Sequence, residues 1–176
     1  MKKIIAFAGS NSKKSINKEL ATYVTILIDN SITTVLDLND FPIPVYGVDT
    51  ETENGIPENA QKFFDIIQSA DGIILSLAEH NGNFSVAFKN MFDWMSRINQ
   101  KVWNNIPMLL MATSPGGRGG ASVLSIAKNG FSHMGGNIIA DFSLPSFYDN
   151  FKEGTIIDDA LNTQLKELVI KLKKSL

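Results

Sequence analysis

The chain has 176 residues, 44% hydrophobic and 19% charged, with 16 Lys and Arg against 18 Asp and Glu and a formal net charge of -2. That balance suits one globular domain over residues 1–176, and it excludes wholesale disorder and nucleic-acid binding driven by overall charge. With no cysteine and only two histidines, His80 and His133, the chain lacks disulfides, thiol nucleophiles and cysteine-ligated metals, and no metal site is expected.

The opening MKKIIAFAGS has a charged start, but its apolar run is shorter than the roughly 7–15 residues of a signal peptide core. No stretch reaches the roughly 18–20 apolar residues of a membrane span. A cytoplasmic protein without a membrane span or a nucleic-acid partner is therefore expected.

Short β-rich apolar runs occur at Lys3–Ala8, Thr33–Leu38, Gly72–Leu77, Pro107–Thr113 and Asn137–Leu144. Their largely continuous character predicts strands buried on both faces. Helix-period segments lie between them. The first is capped by Ser15 or Asn17, and the last by Asp158 or Asp159. In the fourth, Leu124, Ala127, Phe131 and Met134 recur every three or four residues; in the last, Leu161, Leu165, Leu168, Leu172 and Leu176 do so. Alternating strands and helices predict an α/β fold, a three-layer α/β/α doubly wound five-stranded parallel sheet of order 2-1-3-4-5. Residues 39–61, rich in proline, form an ordered excursion after strand two that lines either the site or an interface. Ligands of such sheets bind beyond the carboxyl ends of the strands.

The loop after strand one, GSNSKKSIN, ends where a helix begins near Ile16. Its hydroxyls (Ser10, Ser12, Ser15), the Asn17 amide and the free N–H groups of the helix start suit a phosphate, with Lys13 and Lys14 nearby. Taken alone, it reads equally well as a serine-capped helix with a polar turn. It is neither a Walker A loop nor a dinucleotide fingerprint, because Gly9 lacks the required glycine partners.

After strand three, AEHNGNFSVAFKNMFDWMSR supplies a polar rim of Glu79, His80, Asn81 and Asn83. Phe84, Phe88, Met91, Phe92 and Met95 form the core stripe of the helix that follows. Glu79 is either a base or a residue that fixes the loop, and His80 is assigned a packing or edge-contact role. Lys89, Asp93 and Arg97, spaced by four, form ion pairs on a solvated or interfacial face.

After strand four, TSPGGRGG places four glycines within five residues. Such a backbone approaches a flat ligand closely and presents N–H groups to a ring edge. Three loops at one sheet edge thus suit a phosphate, a planar face and a ring edge. That combination is expected for flavin mononucleotide (FMN), and it favours the cradle reading of the first loop.

These three segments resemble the NADPH-dependent FMN reductase family of flavodoxin-like quinone, chromate and azo-dye reductases. Gly9, Ser10, Ser15 and Asn17 match its GS-x-R-x-x-S-x-N loop. Glu79 and Asn81 match P-E-Y-N, and Lys89, Asn90, Asp93, Trp94, Ser96 and Arg97 match L-K-N-x-x-D-W-x-S-R. Ser114, Gly116, Gly119 and Gly120 match S-x-G-x-x-G-G. The family arginine is Ser12 here, its proline is Ala78 and its tyrosine is His80.

The resemblance implies an FMN-dependent enzyme passing two electrons from NADPH or NADH to a quinone, free flavin or similar small acceptor. It also implies a homodimer or homotetramer to which Lys89, Asp93 and Arg97 contribute. FMN would be held by Ser10, Ser12, Ser15, Ile16, Asn17, Ala78, Glu79, His80, Asn81, Ser114, Pro115, Gly116 and Gly117. No side chain is expected to be catalytic, since the flavin carries the chemistry. The alternative is a non-enzymatic flavodoxin-type electron carrier, whose T-x-T-G-x-T loop and strongly acidic surface are missing here. A receiver-type signalling domain needs an aspartate where this chain has Ser76-Leu77-Ala78.

Overall fold

A computed structural model describes residues 1–176. The chain begins with β1 (Lys2–Gly9), α1 (Ile16–Ile26), β2 (Ser31–Leu36), a 3-10 turn (Leu38–Asp40), α2 (Val48–Asn54) and α3 (Glu58–Gln68). It continues through β3 (Gly72–Leu77), β4 (Glu79–His80), β5 (Asn83–Phe84), α4 (Val86–Ile98), β6 (Pro107–Thr113) and α5 (Ala121–His133). β7 (Asn137–Leu144), α6 (Phe147–Asn150), β8 (Phe151–Lys152), β9 (Thr155–Ile156) and α7 (Asp159–Ser175) complete it. β2, β1, β3, β6 and β7 pair in parallel in that order, the doubly wound arrangement expected from the sequence.

Side chains alternate between the two faces of a strand, so each central strand feeds two cores. Ile5, Phe7, Ile73, Leu75, Met108 and Leu110 face α3, α4 and α5. Ile4, Ala6, Ile74, Leu109 and Met111 face α1 and α7. This double burial explains the continuous apolar runs of β1, β3 and β6. The edge strands differ: β2 is largely exposed along its length and β7 alternates between half-buried and buried positions. Neither edge has a second neighbour to bury it, so the expectation of burial on both faces fails there.

β2 also starts and ends two residues earlier than expected. Its pairing runs from Lys2↔Ser31 to Phe7↔Leu36. The Asp37 carboxylate then accepts the Asn39 N–H at 2.9 Å and turns the chain into the 3-10 segment. Leu38 is therefore a buried residue of that turn and not of the strand.

Both alternatives for the helix caps resolve to the earlier residue. Ser15 accepts from the Lys18 N–H, and Asp158 accepts from the Leu161 N–H at 2.8 Å. Residues 39–61 contain α2 and the start of α3, and they dock on α4. Trp94 Nε1 and Asn90 Nδ2 donate to Pro44 O at 2.9 and 3.0 Å, and Asn90 Oδ1 accepts the Tyr46 N–H at 2.8 Å. No helix is long and apolar enough to cross a membrane.

Candidate functional site

β1 ends in a tight approach. A Cβ on Gly9 would stand 2.8 Å from Leu77 Cδ2 and 3.2 Å from Phe88 Cγ, so a larger residue would have to displace both side chains where β1 passes β3 and α4. Gly9 O accepts from Ser85 Oγ at 2.8 Å, while that same oxygen caps α4 by accepting the Phe88 N–H at 3.1 Å. One buried serine therefore ties the first loop to the helix behind the third.

Beyond Gly9 the loop folds on its own serines. Ser10 Oγ accepts the Ser12 N–H at 3.1 Å, Ser12 Oγ the Lys14 N–H at 3.3 Å, and Ser15 Oγ the Lys18 N–H at 3.2 Å. None of these three hydroxyls donates within the chain, and the N–H groups of Ser15, Ile16 and Asn17 meet no internal acceptor. Spare donors and the positive end of the α1 dipole converge on one spot, which suits an anion rich in acceptors. The donor set fits a phosphate monoester such as that of FMN.

The Asn17 side chain lies elsewhere. It is buried, and its Oδ1 accepts from Ser76 Oγ at 2.7 Å and from the Thr113 N–H at 3.0 Å, while Nδ2 donates to Thr113 O at 3.2 Å. Thr113 Oγ1 in turn donates to Leu144 O at 2.7 Å. Asn17 is thus the clamp that holds α1 against the carboxyl ends of β3 and β6. The amide read from the sequence as a phosphate donor is engaged with these strands, and what it offers the cleft is its backbone N–H.

The third loop is a two-residue hairpin. Asn81 and Gly82 take positive φ of 51° and 74°, and the strands pair Glu79↔Phe84 and His80↔Asn83. Asn-Gly is the favoured pair for such a turn. Glu79 Oε2 accepts the Val123 N–H at 2.9 Å, at the start of α5. Of the two roles open to Glu79 in the sequence, the structure shows the loop-fixing one, joining the third loop to the helix after the fourth.

In the fourth loop the glycines divide by role. Gly119 and Gly120 have φ of +56° and +77°, and a Cβ on Gly119 would lie 2.4 Å from Ser143 Oγ. Both are demanded by packing. A Cβ on Gly116 or Gly117 meets nothing within 4 Å. Ser146 N–H and Phe147 N–H donate to Gly116 O and Ser114 O at 2.9 and 3.1 Å, which fastens this loop to the one after β7.

These loops enclose an open cleft of about 190 Å³ at the carboxyl edge of the sheet. Its walls bring together Ser10, Ser12, Ser15, Ile16, Asn17, Ala78, Glu79, His80, Ser114 and Pro115. Asn81 sits at the hairpin tip, outside these walls, and Gly116 and Gly117 are not part of them either. Of the two lysines expected near the phosphate, Lys14 lines the cleft and Lys13 does not, while Thr113 and Tyr148 line it without having been assigned to it from the sequence. Tyr148 follows β7, whose carboxyl end lies at the same edge; the F-Y pair after that strand was the available signal.

Lys14 is the cation in the walls. Lys18 is tied to Asp37 at 2.6 Å, across from α1 to the end of β2. Burial pushes the Asp37 carboxyl up, but hydrogen bonds from Lys18 and from the backbone and side chain of Asn39 outweigh it and hold the group below its ordinary value. The charges expected at an interface are paired within the chain: Lys89 with Asp93 at 2.6 Å, and Arg97 with Glu51 of α2 at 2.9 Å.

A parallel sheet of this order, with an anion-suited loop after β1 and a cleft at its carboxyl edge, defines the flavodoxin-like class of α/β proteins. Within that class the chain belongs to the NADPH-dependent FMN reductase family, whose sequence pattern matches residues 2–149.

The chain is 29% identical over 122 residues to the quinone reductase of Escherichia coli K12, covering 67% of this chain and 63% of that protein. It is 33% identical over 121 residues to a 2-hydroxy-1,4-benzoquinone reductase of Burkholderia sp, covering 68% and 64%. It thus spans a little under two thirds of either relative. Among solved structures, the flavoenzyme NAD(P)H:(acceptor) oxidoreductase FerB from Paracoccus denitrificans superposes with a TM-score of 0.74 at 24% identity, covering 99% of both chains. That likeness is one of fold.

Proposed function

We propose that this protein is an FMN-dependent NAD(P)H oxidoreductase that reduces a quinone, free flavin or similar small acceptor. The observation that carries the reading is the set of spare donors at the start of α1, opening into a cleft walled by the loops after β1, β3 and β6. When bound, FMN supplies a two-electron store that accepts reducing equivalents from NAD(P)H and yields them to the acceptor.

The chain's own groups do the holding. The hydroxyls of Ser10, Ser12 and Ser15, with the N–H groups of Ser15, Ile16 and Asn17, bind the phosphate, and Lys14 offsets part of its charge. Ala78, Glu79 and His80 cover a ring face, with Asn81 shaping the turn that presents them. Ser114 and Pro115 form the opposite wall, and the Gly116 and Gly117 N–H groups that follow them would donate to a ring edge that gains negative charge on reduction. A homodimer or homotetramer in the cytoplasm completes the proposal, with residues 1–176 acting as one domain.

Purified protein reconstituted with FMN tests the reading. Retained flavin absorbance that bleaches on adding NADPH or NADH without oxygen, and returns with a quinone, is expected. Failure to retain FMN refutes the assignment. Retention without bleaching replaces it with a flavodoxin-type carrier.

A further inference from the structure

One ring in the cleft walls stands without a partner. Tyr148, 59% exposed, is the one exposed aromatic residue of this chain. The other two tyrosine hydroxyls are engaged: Tyr23 donates to Asn162 Oδ1 at 2.7 Å and Tyr46 to Glu51 Oε2 at 3.0 Å. The Tyr148 hydroxyl bonds nothing in the chain, and the residue lines the same cavity as Ser10, Ser12, Lys14 and Ser15. A buried or half-buried tyrosine ordinarily finds a partner for its hydroxyl, and here the cavity is the place left for one.

The footing of this ring is firm. Ser146 turns the chain into α6 at a φ of +45°, a conformation that costs a non-glycine residue free energy. The bonds from Ser146 N–H and Phe147 N–H to the fourth loop hold that turn in place, and Asn150 Nδ2 donates to Pro145 O at 2.8 Å across it. Phe147 is 3% exposed and stacks on the buried Phe151, with centroids 4.8 Å apart at 19°. Tyr148 meets Phe147 edge to face, at 5.6 Å and 86°. An exposed ring on so fixed a base is set in advance for a ligand, because little freedom is left to lose on binding.

The charge balance of the cleft indicates which part of the ligand it meets. A phosphate monoester brings nearly two negative charges near pH 7. Lys14 is the one cation in the walls, because Ser12 stands where the family loop has arginine, and the Glu79 carboxylate lies in the same walls. Neutral donors must therefore do much of the holding, and a hydrogen bond to an ionised acceptor is about twice as strong as one between neutral groups. The volume narrows the choice further. At about 190 Å³ the cleft is smaller than the roughly 300–1,000 Å³ of sites that enclose a whole small-molecule ligand. It has room for the phosphate and part of the ribityl chain, and side chains lining so small a space reach the same end of the ligand.

The geometry points to Tyr148 as a phosphate ligand: its hydroxyl donates to the FMN phosphate from the loop after β7, a neutral donor that makes up part of the hold missing at Ser12. This rests on the FMN reading above and adds a residue to its site.

FMN and riboflavin, which lacks the phosphate, are titrated into flavin-free full-length protein by fluorescence, for wild type and Tyr148→Phe. The variant keeps the ring and removes only the hydroxyl, and its urea unfolding should match wild type because the position is exposed. It is expected to raise the FMN dissociation constant about tenfold and to leave that of riboflavin unchanged. An unchanged FMN constant overturns the proposal. So does an equal loss for both flavins, which would place the hydroxyl on the ring or the ribityl chain. Inorganic phosphate, titrated into the same flavin-free proteins and followed by the amide NMR signals of the α1 start, separates this from the oxidoreductase reading. If wild type retains no FMN, that reading fails, and the tyrosine is judged on phosphate alone: weaker binding by Tyr148→Phe supports its role, and equal binding overturns it.

Discussion

Replacing Asn17 separates a structural clamp from a phosphate ligand. Asn17 is 2% exposed and makes three hydrogen bonds to two strand ends. In Asn17→Ala, the Ser76 hydroxyl can rotate to another acceptor, but the Thr113 N–H and C=O are left buried and unpaired. At about 1–3 kcal/mol for each such group, the loss is about 2–6 kcal/mol. Domains of this kind hold only about 5–15 kcal/mol in total, so urea unfolding should shift far to lower concentration.

Asn17→Asp keeps the shape and both acceptor bonds but turns a donor toward Thr113 O into a second acceptor. Only the protonated acid restores that donor, and burial adds to the preference for it, so the folded-state pKa lies above the unfolded value of about 3.9. Between those two values the native state binds more protons than the unfolded state, and stability falls as pH rises. The variant should therefore approach wild-type stability near the unfolded pKa and lose it as pH rises through the folded pKa. Urea curves taken across that range against wild type measure it. A loss under about 1 kcal/mol for Asn17→Ala, or an Asn17→Asp profile parallel to wild type, refutes the clamp. A ligand role would instead lower FMN affinity at unchanged stability.

Ser10→Ala removes a spare hydroxyl donor from the cradle and should raise the FMN dissociation constant about 5–10-fold, the equivalent of one hydrogen bond, as read by fluorescence titration. Gly119→Ala drives a methyl to 2.4 Å from Ser143 Oγ at a φ of +56° and should cost about 2 kcal/mol or more, whereas Gly117→Ala meets open space and should unfold with wild-type urea dependence. Glu79→Ala should cost about 1 kcal/mol by stripping the acceptor from the Val123 N–H, and Glu79→Gln should recover much of it in the same assay.

Asp37, with its pKa lowered in the fold, contributes stability that is present above its unfolded pKa and is lost as pH falls through the folded one. Asp37→Asn should flatten that part of the acid unfolding curve, by at most about 1 kcal/mol for a pair this exposed.

The sheet order was legible because double burial writes itself into a sequence as unbroken apolar runs, and three such runs lie where β1, β3 and β6 were found. The first loop was legible too, since hydroxyls packed between a strand and a helix announce both a cap and an anion site. The Asn81-Gly82 dipeptide is a hairpin signal in its own right, and a reading of the segment as a polar rim passes over it.

By itself the sequence determined the layer architecture, the edge of the sheet where the cleft opens and the donor-rich loop there, all consequences of local patterning and chain connectivity. Tertiary structure alone decided which polar groups face the cleft and which are consumed in building it. Asn17, Glu79 and Gly119 are bound to or pressed against partners two dozen or more residues away, and Tyr148 is brought to the walls from the loop after β7. Whether an amide or carboxylate is free depends on what stands within 3 Å of it, and no spacing along a chain records that distance.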